Sequence, residues 1–223
     1  MKNDIRVTFF GDSICTGQHV AIHQGWVTQS SASLAQKFEY QDQSIVVTNS
    51  SVNGRTTRQA LETISYEIQS HQPDIVVIQF GMNDCNHWNT DQGLPRVSKE
   101  AFSANLSEII TRVIHFGAKK VFLNTNHPTL LNKLTFPNTQ ITYQESNSSY
   151  NEAIRLIARK SGVELNDVEF EFLKAIRENK NSLDELLLAD DLLHLSKKGH
   201  DLYYSFIYPK IEQAVSEILP KCI

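Results

Sequence analysis

The stretch Ile75-Val76-Val77-Ile78 restricts the possible fold more than any other feature of this sequence. A continuous run of apolar, largely β-branched residues is typical of a central parallel strand that is covered on both faces. Other short apolar runs have strand-like character too, and the predicted strands are Ile5–Phe10, Ile45–Asn49, Asp74–Phe80, Lys120–Asn124 and Val163–Leu165. Five such strands indicate one sheet of ordinary size.

Helical patterns alternate with these strands. Apolar residues recur at helical spacing from Thr57 to Ile68, Phe102 to Val113, Tyr150 to Ile157 and Leu202 to Ile218. Strand–helix alternation with right-handed crossovers predicts a mostly parallel sheet with helices on both faces. Because no internal repeat, low-complexity tract or long linker is visible, we expect residues 1–223 to form a single α/β domain, a three-layer αβα sandwich.

Composition narrows the possible partners and compartment. The net charge of −4 argues against a nucleic-acid partner, which usually requires a basic face. The three cysteines, Cys15, Cys85 and Cys222, are an odd and sparse set that does not look like a disulfide framework, and the spacing of cysteine and histidine does not suit a zinc site. No stretch is long enough for a membrane span, and the first apolar run is too short for a signal-peptide core. We therefore expect a cytoplasmic protein, unless a leader has been trimmed away, with no bound metal or cofactor.

The segment Gly11-Asp12-Ser13 directly follows the first predicted strand. Ligands bind at the carboxyl ends of the strands in open α/β sheets, so Ser13 is a candidate nucleophile. Taken alone, a serine here is also a common helix cap or turn residue. A serine hydroxyl needs a neighbouring base to become a good nucleophile, and therefore the rest of the chain must supply one.

Three other segments reach the same edge of the predicted sheet. His194 suits the role of base, and Asp191, three residues earlier, can orient its ring; Asp190 is the competing carboxylate. An attacked ester also needs donors for its oxyanion, and the backbone N–H groups of Ser13 and Gly54 and the side-chain amide of Asn83 are candidates. The structural alternatives are a turn glycine at 54 and a loop-binding amide at 83.

The four segments resemble, in order and content, those of the SGNH or GDSL-type hydrolases. Gly11-Asp12-Ser13-Ile14 is similar to the first segment of that family, with isoleucine in place of the usual leucine, and Asn53-Gly54 to the second. Gly81-Met82-Asn83-Asp84 and Asp191-Leu192-Leu193-His194 are similar to the third and last. The resemblance implies a flavodoxin-like fold and cofactor-free hydrolysis of acyl esters. It also implies Ser13 as nucleophile, His194 as base, Asp191 as its partner, and an oxyanion hole of Ser13, Gly54 and Asn83.

Two long loops, Asn86–Arg96 and Asn126–Tyr143, are expected to shape the substrate pocket. His87 and Trp88 are candidates to line it, with loop packing as the alternative. We expect hydrolysis of a small acyl ester, such as an acylated carbohydrate with an acetyl or short acyl group. Transfer of the acyl group to a sugar hydroxyl, hydrolysis of lipid or thioester substrates, and a non-catalytic ligand-binding module are the competing hypotheses.

Overall fold

The computed structural model of the protein describes residues 4–39 and 44–219, without the side chain of Glu39. Cys222 lies outside the described residues. Within the described residues, strands and helices alternate as the sequence patterns predict.

A single parallel sheet holds the described strands together. In chain order these are β1 (Asp4–Gly11), β2 (Ser44–Asn49), β3 (Ile75–Gln79), β4 (Lys120–Asn124) and β5 (Glu164–Asn166). Their spatial order is β2-β1-β3-β4-β5, with every neighbouring pair parallel. The apolar run predicted as a central strand is β3, and all five of its residues are buried. The order reverses between β1 and β3, which is where an open α/β sheet forms a crevice at its carboxyl edge.

Helices cover both faces of this sheet. They are α1 (Ser13–Thr16), α2 (Trp26–Glu39), α3 (Thr57–Glu67), α4 (Lys99–His115), α5 (Tyr143–Ser161), α6 (Val168–Arg177), α7 (Leu183–Leu186) and α8 (Lys197–Ile218), with 3-10 turns at Ile22–Gln24, Gln69–His71 and Asn89–Asp91. One apolar core packs α2, α6 and α8 against the sheet, and the other packs α3, α4 and α5. Val77 belongs to the first core, and Val76 and Ile78 to the second, because successive strand side chains point to opposite faces. The fold is therefore a three-layer α/β sandwich, as predicted.

The predicted strands agree with the structure to within one residue at each end. The helices α2 and α6, in contrast, are absent from the sequence prediction. Within the described part of the chain, no helix combines the length and apolar character needed to cross a membrane.

Candidate active site

The turn after β1 places Ser13 at the carboxyl edge of the sheet. Gly11 ends the strand at a position where a Cβ atom would lie only 2.7 Å from both the Cys15 sulfur and the Gln79 carbonyl oxygen, so a larger residue does not fit. Asp12 then caps α1, because its side chain accepts a hydrogen bond of 3.0 Å from the backbone N–H of Ile14. Ser13 is the first residue of α1, and its backbone N–H has no acceptor within the helix.

The turn before α8 brings an imidazole to this serine. His194 Nε2 lies 2.9 Å from Ser13 Oγ, although the two residues are 181 positions apart. On the other side of the ring, His194 Nδ1 lies 2.5 Å from Asp191 Oδ2. The structure thus brings Ser13, His194 and Asp191 into one chain of hydrogen bonds, while Asp190, the alternative carboxylate, is exposed.

The Asp191 carboxylate also shapes the turn that carries His194. Its Oδ1 atom accepts hydrogen bonds from the backbone N–H groups of Leu193, at 3.0 Å, and His194, at 2.9 Å. Leu192, between Asp191 and Leu193, has a φ of +60°, an uncommon conformation for leucine that closes the turn tightly. Partial burial acts to raise the pKa of Asp191, but these two N–H groups and the His194 ring outweigh it and hold the pKa below its usual range. Asp191 is therefore ionised at neutral pH.

Buried His127 supports the same turn, which the sequence prediction did not anticipate. Its Nε2 atom lies 2.8 Å from the Leu193 carbonyl oxygen. Burial lowers the pKa of His127 to about 4, so its ring is neutral and Nε2 carries the donated proton. The hint in the sequence is its position three residues after the end of β4, at the same edge of the sheet.

Asn83 lies beside Ser13 in a small cavity. This cavity has a volume of about 250 Å³ and is lined by Ser13, Met82, Asn83, Asn86, Leu131, Tyr143, Asp191, Leu193 and His194. The Asn83 amide donates through Nδ2 to Asp12 Oδ2 at 3.2 Å. An amide nitrogen carries two protons, so the second remains available to a substrate oxygen.

Arg96 connects Asn83 to Gly54. One guanidinium nitrogen, NH1, lies 3.3 Å from Asn83 Oδ1 and 3.2 Å from the Gly54 carbonyl oxygen. Gly54 has a φ of +75°, which its lack of a Cβ atom permits, but it does not line the cavity of Ser13. The structure therefore places Gly54 next to this cavity and holds it there through Arg96. Arg96 was predicted only as the end of a long loop, and no local sequence pattern distinguishes it.

The structure places His87 and Trp88 outside the lining of the Ser13 cavity. The His87 ring is nearly buried and stacks on Phe136 with 4.3 Å between ring centroids. It thereby packs the two long loops against each other. Trp88 is 53% exposed and lines a separate, neighbouring cavity.

Two buried carboxylates lie beneath this site. Burial raises the pKa of Asp12 to about 7, and the negative charge of Asp84 adds to the rise. Burial also raises the pKa of Asp84 to about 6, although the side chain and backbone N–H of Thr57 donate hydrogen bonds to it and oppose the change. These carboxylates hold loops: Asp12 bonds to Asn83, and Asp84 bonds to the start of α3.

His19 adds a further group at the mouth of the site. Its ring stands edge-on to the His194 ring, with 5.1 Å between centroids. His19, Asp191 and His194 offer potential metal-ligand atoms within 4.8 Å of one another. Both nitrogens of His194 already have partners, however, so a metal ion here would compete with the hydrogen bonds to Asp191 and Ser13.

The comparisons with known proteins identify the family. The chain belongs to the GDSL-like lipase/acylhydrolase family, whose model matches residues 9–202. This match confirms the resemblance that the sequence segments indicated and, with it, the expected class of enzyme, a carboxylic ester hydrolase.

Individual relatives are more distant. An arylesterase of Vibrio mimicus is 27% identical over 123 residues, which cover 55% of this chain and 56% of that protein. The match thus spans little more than half the length of that relative. An uncharacterized lipoprotein of Bacillus subtilis, YqeF, is 25% identical over 181 residues, which cover 72% of this chain and 71% of the lipoprotein. The solved structure of Axe2, an acetylxylan esterase from Geobacillus stearothermophilus, matches with a TM-score of 0.72 at 20% identity, covering 95% of this chain and 96% of Axe2, which supports the fold.

Proposed function

We propose that this protein is a serine esterase that hydrolyses acetyl or other short acyl esters through an acyl-serine intermediate. The observation that carries this proposal is the continuous hydrogen-bond chain from Ser13 Oγ through the His194 ring to Asp191, with contacts of 2.9 and 2.5 Å. A hydroxyl, an imidazole and an ionised carboxylate in this order are the parts that nucleophilic acyl transfer requires.

In the first half of the proposed reaction, His194 Nε2 takes the proton of the Ser13 hydroxyl while Oγ attacks the ester carbonyl carbon. Asp191 keeps the proton on Nδ1 and stabilises the imidazolium that forms. The oxyanion accepts hydrogen bonds from the N–H groups of Ser13 and Gly54 and from Asn83 Nδ2. Collapse of this intermediate breaks the bond to the alcohol oxygen, which takes the proton from His194 and leaves.

In the second half, a water molecule replaces the alcohol. His194 removes a proton from the water, whose oxygen attacks the acyl carbon of the acyl-serine. The same three donors stabilise the second oxyanion. The bond to Ser13 Oγ then breaks, Oγ recovers its proton from His194, and the carboxylic acid is released. Every step is a proton transfer or an acyl transfer, so the proposed cycle needs no cofactor or metal ion.

The size of the Ser13 cavity supports a short acyl group. At about 250 Å³ it is smaller than typical pockets for drug-sized ligands, and Tyr143 and Met82 close part of its wall. The Tyr143 hydroxyl donates a hydrogen bond of 2.5 Å to the Met82 carbonyl oxygen, which fixes this wall in place. Long-chain lipids and acyl thioesters are therefore the weaker alternatives.

The exposure of the site favours hydrolysis over transfer. Transfer to a sugar hydroxyl requires that water be shut out of the site. The side chains of Asp191 and His194 are 34% and 15% exposed, so water reaches both. O-acyl transfer to a sugar remains the second candidate, and product analysis with and without sugar acceptors separates the two.

The remaining proposals concern partners and surroundings. We propose a small acyl ester, such as an acylated carbohydrate, as substrate, a single catalytic domain, and no nucleic-acid partner, in keeping with the net charge of −4. Free thiols at Cys15 and Cys85 support a cytoplasmic location. The lipoprotein relative supports the alternative, a location outside the cytoplasm. Cell fractionation with an antibody against the protein distinguishes these locations.

Replacement of the nucleophile tests the proposed function directly. We expect Ser13→Ala to lower kcat with 4-nitrophenyl acetate by about 10⁴-fold or more, since loss of the nucleophile removes the covalent route. A fluorophosphonate probe should label the parent protein and leave folded Ser13→Ala unlabelled. Among 4-nitrophenyl esters, acetate and butyrate should be cleaved faster than octanoate. Unchanged turnover in Ser13→Ala, checked as folded by circular dichroism, would refute the proposal.

A further inference from the structure

A second cavity lies beside the Ser13 cavity and takes no part in the proposed acyl chemistry. It has a volume of about 500 Å³, and its lining includes Arg58, Gln59, Trp88, Asp91, Leu94 and Arg96. The lining combines one large aromatic ring with several charged and amide groups. A binding site for a polar ligand typically combines apolar surface with a few placed polar groups in this way.

Trp88 presents its ring on a fixed backbone. Its backbone N–H lies 3.3 Å from Asp91 Oδ2, and its carbonyl oxygen accepts a 3.0 Å hydrogen bond from the Asp91 N–H. The Arg96 guanidinium carbon lies 4.3 Å from the centroid of the ring and therefore backs one side of it. Trp88 nevertheless stays 53% exposed. Since its position is set before a ligand arrives, little conformational freedom remains to be lost on binding.

The Arg96 guanidinium connects the two cavities. Arg96 lies in the wall of the larger cavity, and its NH1 is 3.3 Å from Oδ1 of Asn83, which lines the smaller one. Its backbone N–H donates a 2.8 Å hydrogen bond to the carbonyl of Asn86, another residue of the smaller cavity. An ester whose carbonyl sits between Ser13 and Asn83 can thus extend its alcohol portion over Arg96 toward Trp88.

We propose that this second cavity is a carbohydrate subsite, in which a sugar ring of the ester's alcohol portion stacks on Trp88. This inference rests on the proposed esterase function and names the class of alcohol that the enzyme accepts. A sugar ring has a face of C–H groups and a rim of hydroxyls, which suit an exposed indole beside amide and charged side chains. The carbonyl oxygen of the Gln59 side chain is already used in capping α3, so its amide donors are the groups it offers a sugar hydroxyl.

A lipid chain suits this cavity poorly. Arg58, Asp91 and Arg96 would lose water around their charges against a hydrocarbon chain, without gaining hydrogen-bond partners in return. The hydroxyls of a sugar supply such partners. The alcohol portion is therefore a sugar rather than a fatty alcohol or a diacylglycerol.

The kinetic test compares two substrates that share an acetyl group. We expect Trp88→Ala to lower kcat/KM for both substrates to different extents, with a loss about tenfold greater for acetylated xylo-oligosaccharides than for 4-nitrophenyl acetate. A tenfold difference is the effect expected from losing one stacking contact with an aromatic ring. Trp88→Phe should restore most of the difference. Tyr66→Ala is the matched control, because Tyr66 is an 82% exposed aromatic residue of α3 outside this cavity, and it should change neither substrate. An equal loss for both substrates in Trp88→Ala would assign Trp88 to loop support and overturn the subsite.

The binding test does not depend on turnover. The chain has two tryptophans, and Trp26 is fully buried, so a ligand-induced change in fluorescence reports chiefly on Trp88. Titration of Ser13→Ala protein with unacetylated xylotetraose or cellotetraose should give a saturable change, which Ser13→Ala/Trp88→Ala should lose. If neither sugar binds while the parent enzyme cleaves short acetyl esters, the subsite is wrong and the esterase proposal stands. If the sugars bind but Ser13→Ala retains the parent hydrolysis, the esterase mechanism fails instead.

Discussion

Asp191 and Asp12 are two carboxylates at the same edge of the sheet, and their surroundings drive them to opposite protonation behaviour. The Asp191 side chain is 34% exposed, and donated hydrogen bonds keep its pKa below the usual range despite partial burial. Asp12 is fully buried, and burial raises its pKa to about 7. Asp191, which stays charged at neutral pH, therefore lies in a turn with several hydrogen-bond donors and some water, whereas Asp12 lies buried under the loops.

Each of these carboxylates also positions a different side chain. Asp191 holds the His194 ring through Nδ1, and Asp12 holds the Asn83 amide through Nδ2. In the proposed mechanism, the first side chain moves protons and the second stabilises the oxyanion. The comparison predicts that loss of the first contact costs the most activity, and that loss of the second costs less and alters the pH dependence of stability.

The largest expected effect comes from Asp191. In Asp191→Asn, the side chain no longer carries the charge that stabilises an imidazolium at His194, so kcat with 4-nitrophenyl acetate should fall by about 10³–10⁴-fold. Asp190→Asn is the matched control, because Asp190 is the adjacent, exposed carboxylate, and its turnover should stay within about twofold of the parent. A comparable loss in both variants would mean that turnover depends on the total negative charge of this turn and not on the contact between Asp191 and His194.

Asn83 should give the next largest effect. Asn83→Ala removes a proposed oxyanion donor and should lower kcat by about 10²–10³-fold, with a much smaller change in KM because the donor acts mainly in the transition state. Asn86→Ala provides the comparison, since Asn86 lines the same cavity without contact to Asp12 in the described hydrogen bonds, and its loss in kcat should be smaller. If Asn83→Ala instead raises KM at constant kcat, Asn83 binds the ground-state substrate and is no oxyanion donor.

The sequence patterns predict all the described strands but not all the helices. β3 is predictable because a strand buried on both faces is apolar at every position. The helix α6 is not, because Val168, Phe170 and Phe172 alternate with acidic residues as in a strand. In the structure Val168 and Phe172 are buried, while Phe170 is 48% exposed, which is helical periodicity with one apolar residue on the outer face. Tertiary packing therefore decides between the two patterns.

The helix α2 was missed for a different reason. Its buried apolar residues include Trp26, Val27, Leu34 and Phe38, which leaves a long polar interval after Val27. Such an interval weakens the helical signal, although the same residues pack in one core.

The candidate site, like the fold, is predictable from the sequence only in part. The proximity of Ser13, Asp191 and His194 follows from topology, since strand ends gather at one edge. The contacts of Arg96 join Gly54, which is 42 positions away in the sequence, to Asn83 and Trp88, which lie in or next to the loop of Arg96. No periodicity or spacing encodes such contacts, so only the coordinates reveal that two of the proposed oxyanion donors and the second cavity share the Arg96 guanidinium.

Asp12→Asn should have the smallest effect on turnover and the clearest effect on the pH dependence of stability. The new side chain at position 12 keeps an oxygen that can accept from the Ile14 N–H, but it faces the Asn83 amide with an NH2 group in place of the oxygen that accepted from Nδ2. The position of Asn83 is therefore disturbed, and kcat should fall by about tenfold. In the parent protein the folded-state pKa of Asp12, about 7, lies above the reference value of 3.8. Its contribution to stability is therefore complete below about pH 4 and is lost as the pH rises through 7.

Urea unfolding of both proteins between pH 5 and 8 measures this contribution. The free energy of unfolding of Asp12→Asn, relative to the parent, should rise by about 2 kcal/mol over this range, since the variant lacks the Asp12 carboxylate that ionises in the folded parent. The difference between the two proteins is the useful quantity, because other buried groups change the stability of both. Burial raises the pKa of Asp84 to about 6 and lowers the pKa values of His127 and His200 to about 4. Asp191→Asn should show no such rise, because the pKa of Asp191 lies below the range tested. Parallel curves for the parent and Asp12→Asn would show that Asp12 does not titrate near neutrality, and the contrast between the two carboxylates would then fail.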